Sequence, residues 1–292
     1  MARIISKRVL TPVTKLFVIE APLIAAAARP GQFVIVRVRE GGERIPLTIA
    51  DYRPDRGEII IVVQEVGVTT RLLGALDEGD DILDVAGPLG SAPDISPAGH
   101  VVGVGGGFGA AALLCLMRDL SQRGARTTAI IGARQKDLLI LTDELKAASG
   151  HLDLCTDDGS TGFKGFVTER LQQLIDGDAV APGLGPPDRV VAIGPMAMMR
   201  AVADTTRRAG IETLASMDPL MIDGTGMCGG CRITIGNEIK FACVDGPFFD
   251  AHQVDFDEAE RRNKMYVDME SQAAVRQAHA CGAASQVREG AI

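Results

Sequence analysis

A chain of 292 residues accommodates roughly two compact domains and an appendage. Its 46% hydrophobic and 23% charged residues exclude a largely disordered chain, and a formal net charge of -8 argues against a nucleic-acid phosphate backbone as partner. No segment is apolar for the length of a bilayer crossing, and the N-terminus MARIISKRVLTPVTK lacks a secretory signal's apolar stretch, so a cytoplasmic protein without membrane contact is expected. In a reducing compartment, clustered cysteines point to metal or cluster ligation rather than disulfides.

From Ala2 to about Ala98, β-branched runs alternate with turn residues: RIISKRVL, TKLFVIEAP, GQFVIVRVRE, RIPLTIADY, GEIIIVVQEV and DDILDVAGPLG. Short strands at this spacing predict a small antiparallel β-barrel over residues 1–98. The texture then changes. HVVGVGGGFGAAALLCLMRDLSQRG reads as strand, glycine turn and helix, RTTAIIGAR as a strand and DLLILTDELKAAS as a helix. HLDLCTDDGS, VTERLQQLID, DRVVAIGP and MAMMRAVADTTRRAG continue the alternation, which predicts an α/β domain with a parallel sheet over residues 99–215. Residues 216–250 hold a cysteine window, and residues 251–292 read as a polar, alanine-rich helical extension or tail.

In GVGGGFGAA, Gly105, Gly107 and Ala110 fit the G-x-G-x-x-G/A pattern, with Gly106, Phe108 and Gly109 in the same turn. Glycines let the backbone approach a pyrophosphate, and the helix N-terminus beyond offers free N–H groups; the same turn also serves simple close packing of strand on helix. Two further loops fall at the carboxyl edge of the sheet, where α/β sheets bind ligands. One carries Asp157, Asp158 and Gly159, the other Gly194, Pro195 and Met196. Of Met196, Met198 and Met199, at least one is expected in the core.

The cysteine window reads Asp223-x4-Cys228-x2-Cys231-x11-Cys243. Plant-type 2Fe-2S proteins hold their cluster with Cys-x4-Cys-x2-Cys and a distant Cys, so the spacing matches with aspartate in first place. Glycines 224, 226, 229 and 230 allow the loop to wrap a cluster and aim N–H groups at its sulfurs. Three cysteines and a carboxylate also satisfy structural zinc, although only one short Cys-x2-Cys knuckle is present. Asp223 also suits a loop cap that accepts backbone N–H bonds, in which case Cys281 is the next candidate ligand.

A barrel carrying RIPLT and GVTTRLL, followed by GGGFGAA and IGPMAMM, resembles the ferredoxin-NADP reductase superfamily over nearly the whole chain. The resemblance implies FAD on the barrel, with Arg44, Pro46, Leu47 and Thr48 at the flavin and its phosphates and Gly67, Thr69 and Thr70 donating to the pyrophosphate. Taken singly, Arg44 also reads as a solvated charge, and Thr69 and Thr70 as a helix cap.

With the cysteine window added, the order resembles two groups in that superfamily. One is the electron-transfer subunit of dihydroorotate dehydrogenase. The other is the small subunit of NADH-dependent ferredoxin:NADP oxidoreductases, also described as sulfide dehydrogenases, and Asp223 favours it because there an aspartate replaces the first cysteine. This second resemblance implies a heterodimer with a larger flavin and iron-sulfur subunit of the glutamate-synthase small-subunit type, and bifurcating transfer to ferredoxin through the complex. The cofactors implied are FAD, a 2Fe-2S cluster and a nicotinamide nucleotide. Arg134 and Lys136 would favour NADP(H), but in this superfamily the adenosine ribose is read by a later loop, where Asp157 and Asp158 would repel a phosphate, so NAD(H) is expected. No side chain is expected to act as a strong acid or base, and His100, His151, His252 and His279 read as surface or packing residues. A non-catalytic interaction subunit with cysteine-bound zinc is the alternative of another class.

Overall fold

The structure, a computed structural model, describes residues 1–97, 99–177 and 183–273. The barrel strands are β1 (Ala2–Thr11), β2 (Thr14–Glu20), β3 (Phe33–Arg37), β4 (Arg44–Arg53), β5 (Glu58–Gln64), β6 (Asp81–Ile82) and β7 (Asp84–Leu89), with α1 (Pro22–Ala27) and α2 (Val68–Gly74) inserted. They form one 7-stranded antiparallel sheet in the order β6-β1-β2-β5-β4-β3-β7. Its edge strands are separated in the chain by Leu83 alone, so the sheet curls into a nearly closed barrel. The alternation expected of such strands sends Phe17, Ile19, Ile49, Ile59 and Ile61 into the barrel core, joined there by Leu73 of α2. PLIAAA is helical although its helix period is too short to read; Pro22 stands at its first turn, where the missing N–H costs nothing.

The second layer system holds β8 (His100–Gly106), α3 (Gly109–Gln122), β9 (Arg126–Ala133), α4 (Thr142–Ala148), β10 (His151–Thr156), β11 (Phe163–Lys164), α5 (Val167–Ile175), β12 (Arg189–Ile193), α6 (Met196–Ala209) and β13 (Glu212–Ser216). After it come the hairpin β14 (Arg232–Ile235) and β15 (Glu238–Phe241), then β16 (Phe248–Asp250) and α7 (Phe256–Asn263). The sheet order is β11-β10-β9-β8-β12-β13-β16, parallel except for β16, which runs antiparallel to β13. Helices cover both faces, so β8 is buried along its whole length. Val102, Val104, Ile130, Val190 and Ala192 pack with α5 and α6. Their neighbours Val101, Ala129, Ile131, Val191 and Ile193 pack with α3 and α4.

The expected barrel followed by a parallel sheet is the order found, with two differences of detail. The helix expected over DLLILTDELKAAS forms only from Thr142, because Ile140 and Leu141 turn into the core and Leu141 takes a left-handed φ of 55°. The stretch read as the end of the nucleotide domain continues into β13, and β16 from the cysteine segment closes the sheet edge. Most of the GVTTRLL stretch forms the helix α2. Cys281 and His279 lie outside the described residues. Among the described residues no helix is long and apolar enough to cross a membrane.

The two layer systems are tied by a bidentate fork from Arg118 of α3 to Asp51 of β4 and by an ion pair from Arg8 of β1 to Glu144 of α4. Ala50 and Val62 of the barrel pack beside the apolar face of α3.

Candidate functional site

The chain reverses direction through the sheet between β8 and β12, leaving a crevice beyond their carboxyl ends. A cleft of about 850 Å³ opens there and extends to the barrel edge at Phe33, Pro46 and Thr48. Eleven of the residues singled out in the sequence line it together: Pro46, Thr48, Gly106, Gly107, Phe108, Gly109, Arg134, Asp157, Gly194, Pro195 and Met198. Its size and its blend of apolar wall and backbone donors suit a flat, phosphate-bearing ligand.

The glycine turn has a packing reason at each end. A Cβ on Gly109 would stand 2.0 Å from the Ile193 carbonyl oxygen, so α3 starts against the end of β12 only because this residue lacks one. A Cβ on Gly105 would meet Ile131 and Leu113 at 2.8 Å, and Ala110 is fully buried, so these two residues pack the turn rather than face the cleft. Gly107 takes φ +51° with open space beside it, the conformation that favours glycine.

Other expected residues stand elsewhere. Leu47 points into the barrel core, since the strand period of two turns it away from its cleft-lining neighbours. Arg44, exposed, lines a separate pocket of about 350 Å³ with Arg37, Asp84 and Ile35. Thr70 caps α2, its Oγ1 accepting N–H bonds from Gly67 at 2.9 Å and Val66 at 3.0 Å. Thr69 is buried and donates to Glu43 at 2.6 Å. Asp158 accepts from the N–H and hydroxyl of Ser160, which hold its carboxyl below the usual range, and Gly159 takes φ +78° in that turn. Arg134 lines the cleft with Asp157. Met198 lines the cleft too, Met199 is core and Met196 is half-buried against the core. His100 is fully buried between the Gly185 carbonyl and Thr128, a packing role.

Sequence reasoning missed the cleft's far wall, formed by Ser216, Met217, Asp218 and Met221. Asp218 is reached by solvent yet ringed by the cleft, and desolvation pushes its carboxyl up to about 6. An acidic residue between two methionines just ahead of the cysteine window was the available signal. Between the ordinary value of 3.8 and about 6 the folded chain holds a proton that the unfolded chain releases, so this group lowers stability as pH rises through that window. Asp218→Asn is therefore expected to raise Tm near pH 7.5 and leave it unchanged near pH 3.5. Thermal melts at the two pH values check this; an equal shift at both would contradict it.

The cysteine segment sits at the seam between barrel and sheet. Met217 N–H donates to the Pro247 carbonyl at 2.9 Å, and Ser91 N–H to that of Gly246 at 2.6 Å. A Cβ on Gly224 (φ +74°) would strike Leu89 and Ile35 of the barrel, so the loop packs tightly on β3 and β7. The sulfurs of Cys231 and Cys243 are buried and 3.1 Å apart. Burial, then the neighbouring Cys231, pushes the Cys243 thiol up to about 12. Such a pair becomes thiolate only when a cation offsets the charge, which is what cluster iron does, so the donor set fits one.

Cys228 is exposed, its sulfur accepting the Gly230 N–H at 3.4 Å. Asp223 accepts N–H bonds from Thr225 and Cys228, each at 2.9 Å, and these hold its carboxyl below the usual range. Among the described residues no three ligating side chains are already gathered as for a metal. The structure thus brings Cys231 and Cys243 together, with Cys228 and Asp223 on the adjoining turns of the same loop. Cys115 and Cys155 lie elsewhere, their thiols pushed up to about 12 by burial, as inert packing residues.

Residues 218–255 match the family model for the iron-sulfur cluster binding domain of dihydroorotate dehydrogenase B. A protein of Thermotoga maritima, named as a homologue of the dihydroorotate dehydrogenase B (NAD(+)) electron transfer subunit, is 46% identical over 254 residues, covering 87% of this chain and 87% of its own length. A protein of Clostridium beijerinckii known only by its position in the adh 3' region is 43% identical over 280 residues, 94% of this chain and 93% of its own. A solved structure of NADH-dependent reduced ferredoxin-NADP oxidoreductase, described in terms of flavin-based electron bifurcation, superposes with a TM-score of 0.87 at 42% identity, covering 94% of this chain and 97% of that one.

Proposed function

The chain belongs to the family of dihydroorotate dehydrogenase B electron-transfer subunits and their homologues, and on that premise we propose that it is the electron-transfer flavoprotein subunit of a bifurcating ferredoxin:NADP oxidoreductase or sulfide dehydrogenase. Bound at the barrel edge, FAD would supply the conversion of a nicotinamide hydride into single electrons, and a 2Fe-2S centre held by Cys228, Cys231 and Cys243 would supply their passage to a larger partner subunit. The observation that carries this reading is the meeting, at one seam, of a ligand cleft and a buried cysteine pair.

Residues 1–98 hold FAD, residues 99–215 the nicotinamide nucleotide and residues 216–250 the cluster. Pro46 and Thr48 present the barrel edge to the flavin, while Arg44, whose side chain makes no hydrogen bond or ion pair among the described residues, is free to take its phosphate oxygens. Gly67, Thr69 and Thr70 shape the adjoining α2 end. Gly106 to Gly109 let a nucleotide phosphate approach the N-terminus of α3, and Gly194 and Pro195 form the facing lip. Asp157 receives ribose hydroxyls and repels a 2'-phosphate. The partner is of the glutamate-synthase small-subunit type, with ferredoxin served through the complex.

NADH is therefore expected to bleach the flavin band at least tenfold faster than NADPH at equal concentration. Stopped-flow mixing with each nucleotide measures this, and faster bleaching by NADPH would shift the weight to Arg134.

Asp223 is the fourth cluster ligand in this reading. Its two oxygens each keep a lone pair beyond the loop-capping bond, so capping and ligation are compatible. Asp223→Cys is expected to keep the cluster with a changed potential and paramagnetic signal, and Asp223→Ala to lose it. If both variants retained the parent's spectrum and potential, Asp223 would be a cap alone.

A further inference from the structure

Arg262, in the last turn of α7, reaches back across the fold to the cysteine loop. Its Nη2 donates to the Gly230 carbonyl at 3.1 Å. Gly230 lies between Cys228 and Cys231, and its own N–H donates to the Cys228 sulfur at 3.4 Å. The Nε of Arg262 is buried with no hydrogen-bond acceptor among the described residues. Carboxylates close by on α7 are engaged otherwise: Asp257 and Glu260 pair with Arg200, and Glu260 also pairs with Lys264. No ion pair to Arg262 is present among the described residues, so its charge is uncompensated on the protein side.

A buried N–H without an acceptor is costly, and a fixed positive charge without a counter-charge is equally out of place in a half-buried site. Both are explained if something anionic and rich in acceptors belongs beside Gly230. A cluster held by thiolates has that chemistry, since its sulfurs are acceptors and its net charge is negative.

We infer that Arg262 is the positioning and potential-setting residue of the cluster loop: it pins Gly230, keeping that N–H on the Cys228 sulfur, and its uncompensated guanidinium favours the reduced cluster. The balance is simple. One electron enters the centre from the electron-transfer chain, no proton or bond is exchanged, and the centre gains one unit of negative charge. A neighbouring cation stabilises that added charge more than it stabilises the oxidised form, so it raises the reduction potential. A lysine keeps the charge without the planar fork, whereas a glutamine keeps a donor without the charge. This inference rests on the assignment of a cluster to Cys228, Cys231 and Cys243.

The test is a dithionite titration of parent, Arg262→Lys and Arg262→Gln proteins, followed by the low-temperature paramagnetic signal, with iron and acid-labile sulfide measured on each. Arg262→Gln is expected to reduce the equilibrium constant for cluster reduction roughly tenfold, a downward shift of about 59 mV for a one-electron couple. Arg262→Lys is expected to stay near the parent potential. A glutamine variant with full iron and an unchanged potential would overturn the inference, as would a lysine variant shifted as far as the glutamine one. Should the glutamine variant hold no cluster, the lysine variant decides: cluster retained at the parent potential supports the charge role, and cluster lost contradicts it. A parent protein without iron and sulfide is a separate outcome, which would remove the cluster assignment itself.

Discussion

Cys231→Ala is expected to strip the cluster from the protein while leaving flavin reduction by NADH close to the parent rate. Cys231 is 1% exposed, its sulfur lies 3.1 Å from that of Cys243, and it also accepts the Cys243 N–H at 3.5 Å. Removing it leaves one buried thiol facing a void, which cannot hold iron that needs several thiolates. Iron and acid-labile sulfide should fall at least tenfold, and reduction of one-electron acceptors should fall with them. Pro46 and Thr48, proposed to face the flavin, line the cleft, and Cys231 is not among the residues lining it, so bleaching of the flavin band by NADH should persist. Cys115→Ala and Cys155→Ala are the controls: both residues are buried, Cys115 on α3 and Cys155 on β10, and neither belongs to the Cys228–Cys243 loop, so these variants should keep their iron. Equal iron loss from the controls would mean that general destabilisation, not ligation, accounts for the effect.

Gly109→Ala carries the second large effect. The added Cβ would stand 2.0 Å from the Ile193 oxygen, 2.6 Å from its carbonyl carbon and 3.0 Å from the Gly194 nitrogen. All three are backbone atoms, so no rotamer change relieves the clash, and α3 must back away from β12. Overpacking of this kind costs about 3 kcal/mol, and it opens the lip between Gly107 and Gly194. Denaturant unfolding should show the loss, and titration with NADH should show binding weakened at least tenfold. Gly107→Ala is the comparison. Its Cβ meets nothing within 4 Å, so only the φ of +51° is strained, at about 1 kcal/mol. If the two variants were equally stable, the close approach of α3 to β12 would not matter to the fold.

The sequence announced the architecture because its signals were local. Alternating β-branched runs set the barrel strands, and apolar strands buried on both faces, such as VVGVGG of β8, announced a parallel sheet. What escaped was whatever depended on a distant partner. Phe248–Asp250 is three residues long and becomes a strand only because β13 offers an edge. The helix expected before Thr142 loses to burial of Ile140 and Leu141 against α3, a tertiary demand that local propensity does not carry. Asp218, marked only by its place between two methionines, and Arg262 went unread for the same reason: one matters through the cleft it faces, the other through a carbonyl 32 positions away. Leu47 shows the limit of a motif read as a unit, since in Arg44-Ile45-Pro46-Leu47-Thr48 the strand period turns Ile45 and Leu47 toward the barrel core.

On the proposed reading, electrons from a nicotinamide reach a cluster in the Cys228–Cys243 loop by way of this chain alone. Anaerobic addition of NADH to the purified protein, followed by visible absorbance and low-temperature paramagnetic resonance on the same samples, tests it most directly. The expected result is a yellow-brown protein whose flavin band bleaches while a signal of a reduced 2Fe-2S centre grows toward one per chain. A colourless protein containing zinc, or a flavin that bleaches with no paramagnetic iron-sulfur signal, would contradict it.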